Sequence, residues 1–157
     1  MSVQTTGGSF AASHGLYFFV SSTNQSSYTL FADNDPSSPN RYAPGADTKE
    51  QDFKLNIGFK ISEVCAVVNS AVRRCTGSDD STGTGEITSI DVIFTRPDPD
   101  AHIYTYNGTI PMSPAEIYSS AYVKLLAANG DYRFITVANT GQVTVCNINA
   151  ALGSVGC

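Results

Sequence analysis

The run Asp131-Tyr132-Arg133-Phe134-Ile135-Thr136-Val137-Ala138-Asn139-Thr140-Gly141-Gln142-Val143-Thr144-Val145-Cys146 decides the fold class. Alternation puts Ile135 and Val137 on one face of a strand, and Val143 and Val145 on one face of the next. Asn139, Thr140 and Gly141 between them tolerate the backbone angles of a tight hairpin. The chain then ends on Cys157, a short loop beyond Cys146. A tail that ends in a half-cystine is expected to be stapled down, because free ends otherwise fray. The segment predicts a β-rich domain with a covalently closed C-terminus.

Working outward, the same alphabet recurs. Gly15–Ser21 is rich in aromatics and reads as a strand, and Ser27–Ala32 alternates as its neighbour. Residues 33–51 read as one long loop, because Pro36, Pro39 and Pro44 cannot donate to a ladder and Gly45 adds a turn. Phe53, Leu55, Ile57, Phe59 and Ile61 alternate strictly with polar residues and predict a single half-buried strand over 53–61. Val64–Val72 continues as strand carrying Cys65, and a turn leads to Cys75. Residues 77–85 read as a flexible loop. Ile87–Thr95 reads as a strand with Ile90, Val92 and Phe94 together, broken at 96–100 and resumed over His102–Tyr106. Glu116–Leu126 suits either a strand or a helix by length; Tyr118, Tyr122 and Val123 favour strand. Asn129-Gly130 then turns into the closing pair. Eight or nine hairpin-connected strands without helical crossovers predict a mainly β fold, an antiparallel sheet or two-sheet sandwich.

A chain of 157 residues is one domain by length. Residues 1–13 are small and polar and read as a linker, with the domain over 14–157. Only 15% of the residues are charged, and the net charge of −5 disfavours non-specific nucleic-acid binding, which needs phosphate neutralisation. No run approaches the ~18 apolar residues of a membrane helix. The first eight residues lack the basic end and apolar core of a signal peptide.

Four cysteines allow three pairings, or four buried thiols. The local spacing favours disulfides Cys65–Cys75 and Cys146–Cys157, each closing a loop worth about 2–3 kcal/mol. Neither pair has the spacing of a redox or zinc motif.

Several blocks, in order, resemble the globular part of type IV pilin-like proteins, specifically the H-type pseudopilins of type II secretion and related minor pilins. They are Gly15-Leu16-Tyr17-Phe18, Tyr28-Thr29-Leu30-Phe31-Ala32-Asp33, Ile90-Asp91-Val92-Ile93-Phe94-Thr95-Arg96-Pro97-Asp98-Pro99, and the closing hairpin Ile135–Val145. The resemblance covers residues 15–146. It implies a β domain like the head of a pseudopilin, with its apolar N-terminal helix removed and residues 1–13 left from that junction. It implies a structural role as a minor subunit in assembly or at the tip of a type IV pilus or type II secretion filament. The implied partners are other pilin or pseudopilin subunits and, before assembly, the inner membrane through that helix. The implied location is the periplasm or an extracellular filament. The Cys146/Cys157 pair is similar to the disulfide-bounded C-terminal region of many pilins.

Catalysis finds little support. His14 and His102 stand outside any metal motif, no Gly-x-Ser-x-Gly elbow exists, and Gly83-Thr84-Gly85 lacks the helix of a phosphate loop. Asp98 and Asp100, set by prolines, read as turn residues. No enzymatic activity and no cofactor other than calcium are expected. The calcium candidates are Asp33, Asn34, Asp35, Asn40 and Asp47, hard oxygen donors in one proline-rich loop, though without the glycine and glutamate of an EF-hand. Arg73 and Arg74 form the one basic cluster and are the candidates for a DNA-binding alternative, in which the domain serves DNA uptake; two residues neutralise too few phosphates for tight binding. Eight tyrosines keep open a secreted carbohydrate-binding sandwich. Asn24-Gln25-Ser26 and Asn107-Gly108-Thr109 match the glycosylation acceptor pattern and read as turns.

Overall fold

A computed structural model describes residues 13–21, 25–37, 40–69, 72–76, 87–95, 100–108, 110–112 and 118–146. Within them the chain forms eleven strands and no helix, arranged as two antiparallel sheets. The strands are β1 Ser13–Phe19, β2 Ser27–Asp33, β3 Thr48–Lys54, β4 Phe59–Asn69, β5 Val72–Cys75, β6 Ser89–Phe94, β7 Ala101–Asn107, β8 Ile110–Pro111, β9 Ser120–Ala127, β10 Tyr132–Ala138 and β11 Val143–Cys146. The first sheet has the order β3-β2-β1-β6-β7-β8 and the second β11-β10-β9-β4-β5. No helix among these residues is long and apolar enough to cross a membrane.

The expected β sandwich is there, and alternation explains its core. Leu16 and Phe18 of β1, Ile90 and Val92 of β6, and Ala101 and Ile103 of β7 turn inward from the first sheet. Ile61, Val64 and Ala66 of β4 meet them from the second, with Ala121 and Val123 of β9. Deep in this layer Thr105 meets the Tyr118 hydroxyl at 2.7 Å and Thr76 accepts the Val64 N–H at 2.9 Å, so these hydroxyls are paired.

The closing hairpin forms as expected: Ile135 faces Val145 and Val137 faces Val143, with Gly141 at φ +78° in the turn. Gly130, at φ +91°, turns β9 into β10. Ser120–Ala127 is strand, which resolves the helix-or-strand ambiguity.

Three expectations are corrected. The 53–61 run is not one strand. Its halves belong to different sheets, and the chain crosses between them at residues 55–58, where Gly58 takes φ +95°. Ile57, expected on the buried face, is fully exposed at this crossing. Alternation is genuine on each side of the break, so the pattern alone hides it. The long loop also ends earlier than expected. Thr48–Lys54 forms β3, an edge strand along β2, with almost every side chain exposed. Its charged residues lack the apolar rhythm of a half-buried strand, and they suit an edge that must not pair with another chain. Similarly, His102–Tyr106 does not resume β6 but returns beside it as β7, with Phe94 opposite Ala101.

Candidate functional site

Among the described residues the sandwich presents two outer faces and an open inner edge. The most built of these is the outer face of the first sheet. Gly15 and Tyr17 of β1, Phe31 of β2, Ser89, Asp91 and Ile93 of β6, and Tyr104 and Tyr106 of β7 share it by register. Such a face would ordinarily meet water. Here Ser89, Asp91 and Ile93 are buried, because the 40–47 segment of the β2–β3 connection lies over them.

Three carboxylates hold this strap by its backbone. Asp33 accepts the Asn40 N–H at 2.8 Å, Asp91 the Tyr42 N–H at 3.3 Å, and Asp47 the Ala43 N–H at 2.7 Å. The other oxygen of Asp47 accepts the N–H groups of Asn34 and Asp35, at 2.9 and 3.1 Å. Asp35 accepts both the N–H and the hydroxyl of Ser37. The Tyr106 hydroxyl donates to the Asn40 carbonyl at 2.8 Å, and Asn40 takes φ +67°, a conformation asparagine tolerates better than most residues. The Tyr42 ring is wedged between Tyr17 and Phe31, with centroids 5.0 and 5.1 Å away. Arg41 lies over the Tyr106 ring and donates to the Gly108 carbonyl.

The calcium candidates therefore gather in one place, but mainly as acceptors for the strap. Among the described residues, the one group compact enough to hold a metal is Glu63, Cys65 and Cys75. Its two sulfurs are bonded to each other, so it offers no thiolate.

Sequence reasoning missed Asp91. It is completely buried, one of its oxygens has no hydrogen-bond partner, and burial pushes its pKa up to about 8. The nearby Asp47 and Asp33 raise it further, while the Tyr42 N–H and Arg41 oppose the rise. Burial also raises Asp33 and the phenols of Tyr17, Tyr42, Tyr104 and Tyr106. The missed signal was the outward face itself, because Tyr17, Phe31, Ile93, Tyr104 and Tyr106 are too aromatic and apolar for a solvated surface.

The outer face of the second sheet centres on the Cys65–Cys75 disulfide, which joins directly opposed residues of β4 and β5. Tyr122 and Phe134 pack on it, and Lys124 lies over the rings of Tyr132 and Phe134. The Tyr122 hydroxyl donates to Glu63 at 3.1 Å and accepts from Arg73 at 3.4 Å. Burial, then Glu63, pushes that phenol up. Cys146 is disulfide-bonded too; Cys157, its expected partner, lies outside the described residues. Arg73 and Arg74 are consecutive in β5, so they project to opposite faces and form no joint basic patch.

The uncovered edge belongs to β11. Val143 and Val145 point to the core side of their sheet, yet stay 56% and 66% exposed. Phe59, on the same side where β4 begins, is 49% exposed. His14 pairs with Glu50 at 3.2 Å on the surface, and His102, on the outer side of β7 opposite Ile93, is exposed. Asp98, the glycine-rich 77–85 stretch and Asn24 lie outside the described residues. Asn107 ends β7 and leads into a turn at Gly108, as expected. Set against known protein families, curated proteins and solved structures, the chain matches none of them.

Proposed function

We propose that this chain is the non-enzymatic head of an extracytoplasmic filament subunit, of the kind formed by minor pilins and H-type pseudopilins. The order of sequence blocks first suggests it, and a disulfide-stapled sandwich is the expected form of such a head. Disulfides persist in oxidising compartments, which favours the periplasm or cell surface.

The observation that carries the reading is the open apolar edge at Val143 and Val145. Inward-facing valines that no other described residues cover are suited to contact with another surface, because burying the rest of each gains roughly 1 kcal/mol. In a filament that cover comes from neighbouring subunits. An apolar N-terminal helix, as in the pilin-like family, supplies the membrane anchor before assembly and most of the association energy after it.

The competing readings find less support. DNA capture needs clustered cations, and Arg73 and Arg74 diverge. Carbohydrate stacking needs open aromatic faces, and Tyr17 is packed against the strap's Tyr42 while Tyr106 is buried.

The test is Val145→Lys in the full-length protein expressed in its own cells. The purified head should keep its melting temperature, because the side chain is exposed, while its recovery with sheared filaments falls. Normal recovery of the variant with filaments would overturn the role given to this edge. Absence of the unmodified protein from any filament or membrane fraction would overturn the filament reading itself.

A further inference from the structure

We propose that the 40–47 segment is a pH-sensitive strap latched by the protonated side chain of Asp91. Ionising that carboxyl releases the strap and uncovers the tyrosine face of the first sheet. The proposal stands on the hydrogen bonds of that sheet alone, so it holds or fails independently of the filament reading.

The geometry makes Asp91 the unstable member of the three carboxylates. Asp47 receives three backbone N–H groups and Asp33 receives one at 2.8 Å. Asp91 receives a single N–H at 3.3 Å, from Tyr42, and its second oxygen has no partner although the side chain is wholly buried. A buried anion so poorly solvated is costly, and the usual outcome is that the group stays neutral.

The elements packed around it are mostly aromatic or acidic, with Arg41 and the Tyr42 N–H opposing them. From β1 it meets Tyr17, from β7 Tyr104 and Tyr106, from β2 Asp33, and from the strap Arg41, Tyr42 and Asp47. Lys49 of β3 reaches only as far as Tyr42. Among the described residues Arg41 is the cation whose field acts on Asp91, and its guanidinium lies over the Tyr106 ring and donates to the Gly108 carbonyl. Asp33 and Asp47 oppose any third negative charge. The phenols do not compete for the transition, since burial lifts each above its ordinary range.

When hydroxide takes the Asp91 proton, the carboxylate gains its hydration only if the strap lifts. The Tyr42 N–H then loses its acceptor on the sheet, while the bond from Ala43 to Asp47 lies within the strap itself. The Tyr42 ring leaves its place between Tyr17 and Phe31. The face so uncovered is aromatic and acidic, and its accessibility is set by pH.

The experiment follows two signals in the same protein across a pH series. Carbon-13 NMR of the Asp91 carboxyl reports its ionisation, and hydrogen exchange over residues 40–47, corrected for intrinsic base catalysis, reports the strap. The expected result is a carboxyl midpoint near 8, with strap protection falling by up to about tenfold per pH unit from about pH 4 toward 8 and levelling off above it. Asp91→Asn cannot ionise and should keep its protection throughout. A midpoint near the ordinary value of about 4 would overturn the proposal. So would strap protection that survives Asp91 ionisation, or that is lost equally in Asp91→Asn. Should the variant fail to fold, the unmodified protein still decides: strap protection that falls toward the carboxyl midpoint and levels off there supports the latch, and protection that stays flat below the midpoint overturns it.

Discussion

Gly15→Ala should destabilise this protein, although its backbone asks nothing special of a glycine. The new Cβ would stand 2.5 and 2.6 Å from two carbons of the Phe31 ring and 3.0 Å from Ile93. Ordinary carbon contacts begin at about 3.5 Å, so the ring must retreat by roughly an ångström. It has nowhere to go: Phe31 is fully buried, and the Tyr42 ring stands on its far side. Overpacking of this kind costs about 1–3 kcal/mol, and reduced freedom of the unfolded chain returns about 0.4–1. The net loss is about 1–2 kcal/mol, or roughly 3–8 °C in melting temperature for a chain of this length. Urea unfolding of Gly15→Ala, Phe31→Leu and the double variant measures it. If the clash is real, the double variant loses less than the two singles together, with a coupling of about 0.5 kcal/mol or more. A neutral Gly15→Ala, or strict additivity, would refute the packing of the strap-covered face.

Three further outcomes are expected. Because Asp91 is raised to about 8 in the fold and titrates at about 4 when unfolded, its contribution is complete below about pH 4 and declines as pH rises toward 8. The slope is about 1.4 kcal/mol per pH unit, with a ceiling near 4 kcal/mol at pH 7. Asp91→Asn should therefore gain on the unmodified protein with rising pH in denaturant titrations; parallel stability curves would contradict this. Replacing Cys65 and Cys75 together by alanine should cost about 3 kcal/mol, from the entropy of the loop the bridge closes. A loss under about 1 kcal/mol would show that the bridge does little. Millimolar calcium should leave the melting temperature of chelator-treated protein unchanged, since a ligand that binds only the native state must raise it. A clear rise would show that the strap carboxylates hold an ion after all.

The closing hairpin was legible because alternation, a Thr-Gly turn and a cysteine agree over sixteen consecutive residues. The Cys65–Cys75 bridge was legible from local spacing. The break at Gly58 was not, because Phe53 and Ile61 each alternate correctly within different sheets, and period alone carries no sheet identity. Asp91 was missed for a related reason. Between Ile90 and Val92 it takes the polar place in a half-buried strand, and only the strap, folded back from a distant part of the chain, removes its water. Gly15 carried an unread hint: a glycine within an aromatic strand often marks a close approach. The strap itself was seen as a proline-rich loop with many carboxylates. That its own backbone N–H groups would fill the place offered to a cation depends on contacts between Asp91 and Tyr42, 49 residues apart.

The filament reading is tested most directly by shearing surface filaments from the source cells and assaying the sheared, membrane and soluble fractions for this chain. The account predicts that it partitions between the membrane and the sheared filaments, with Cys65 and Cys75 resistant to alkylation until reductant is added. Recovery of the chain wholly in a soluble fraction, free of any filament or membrane, would contradict it.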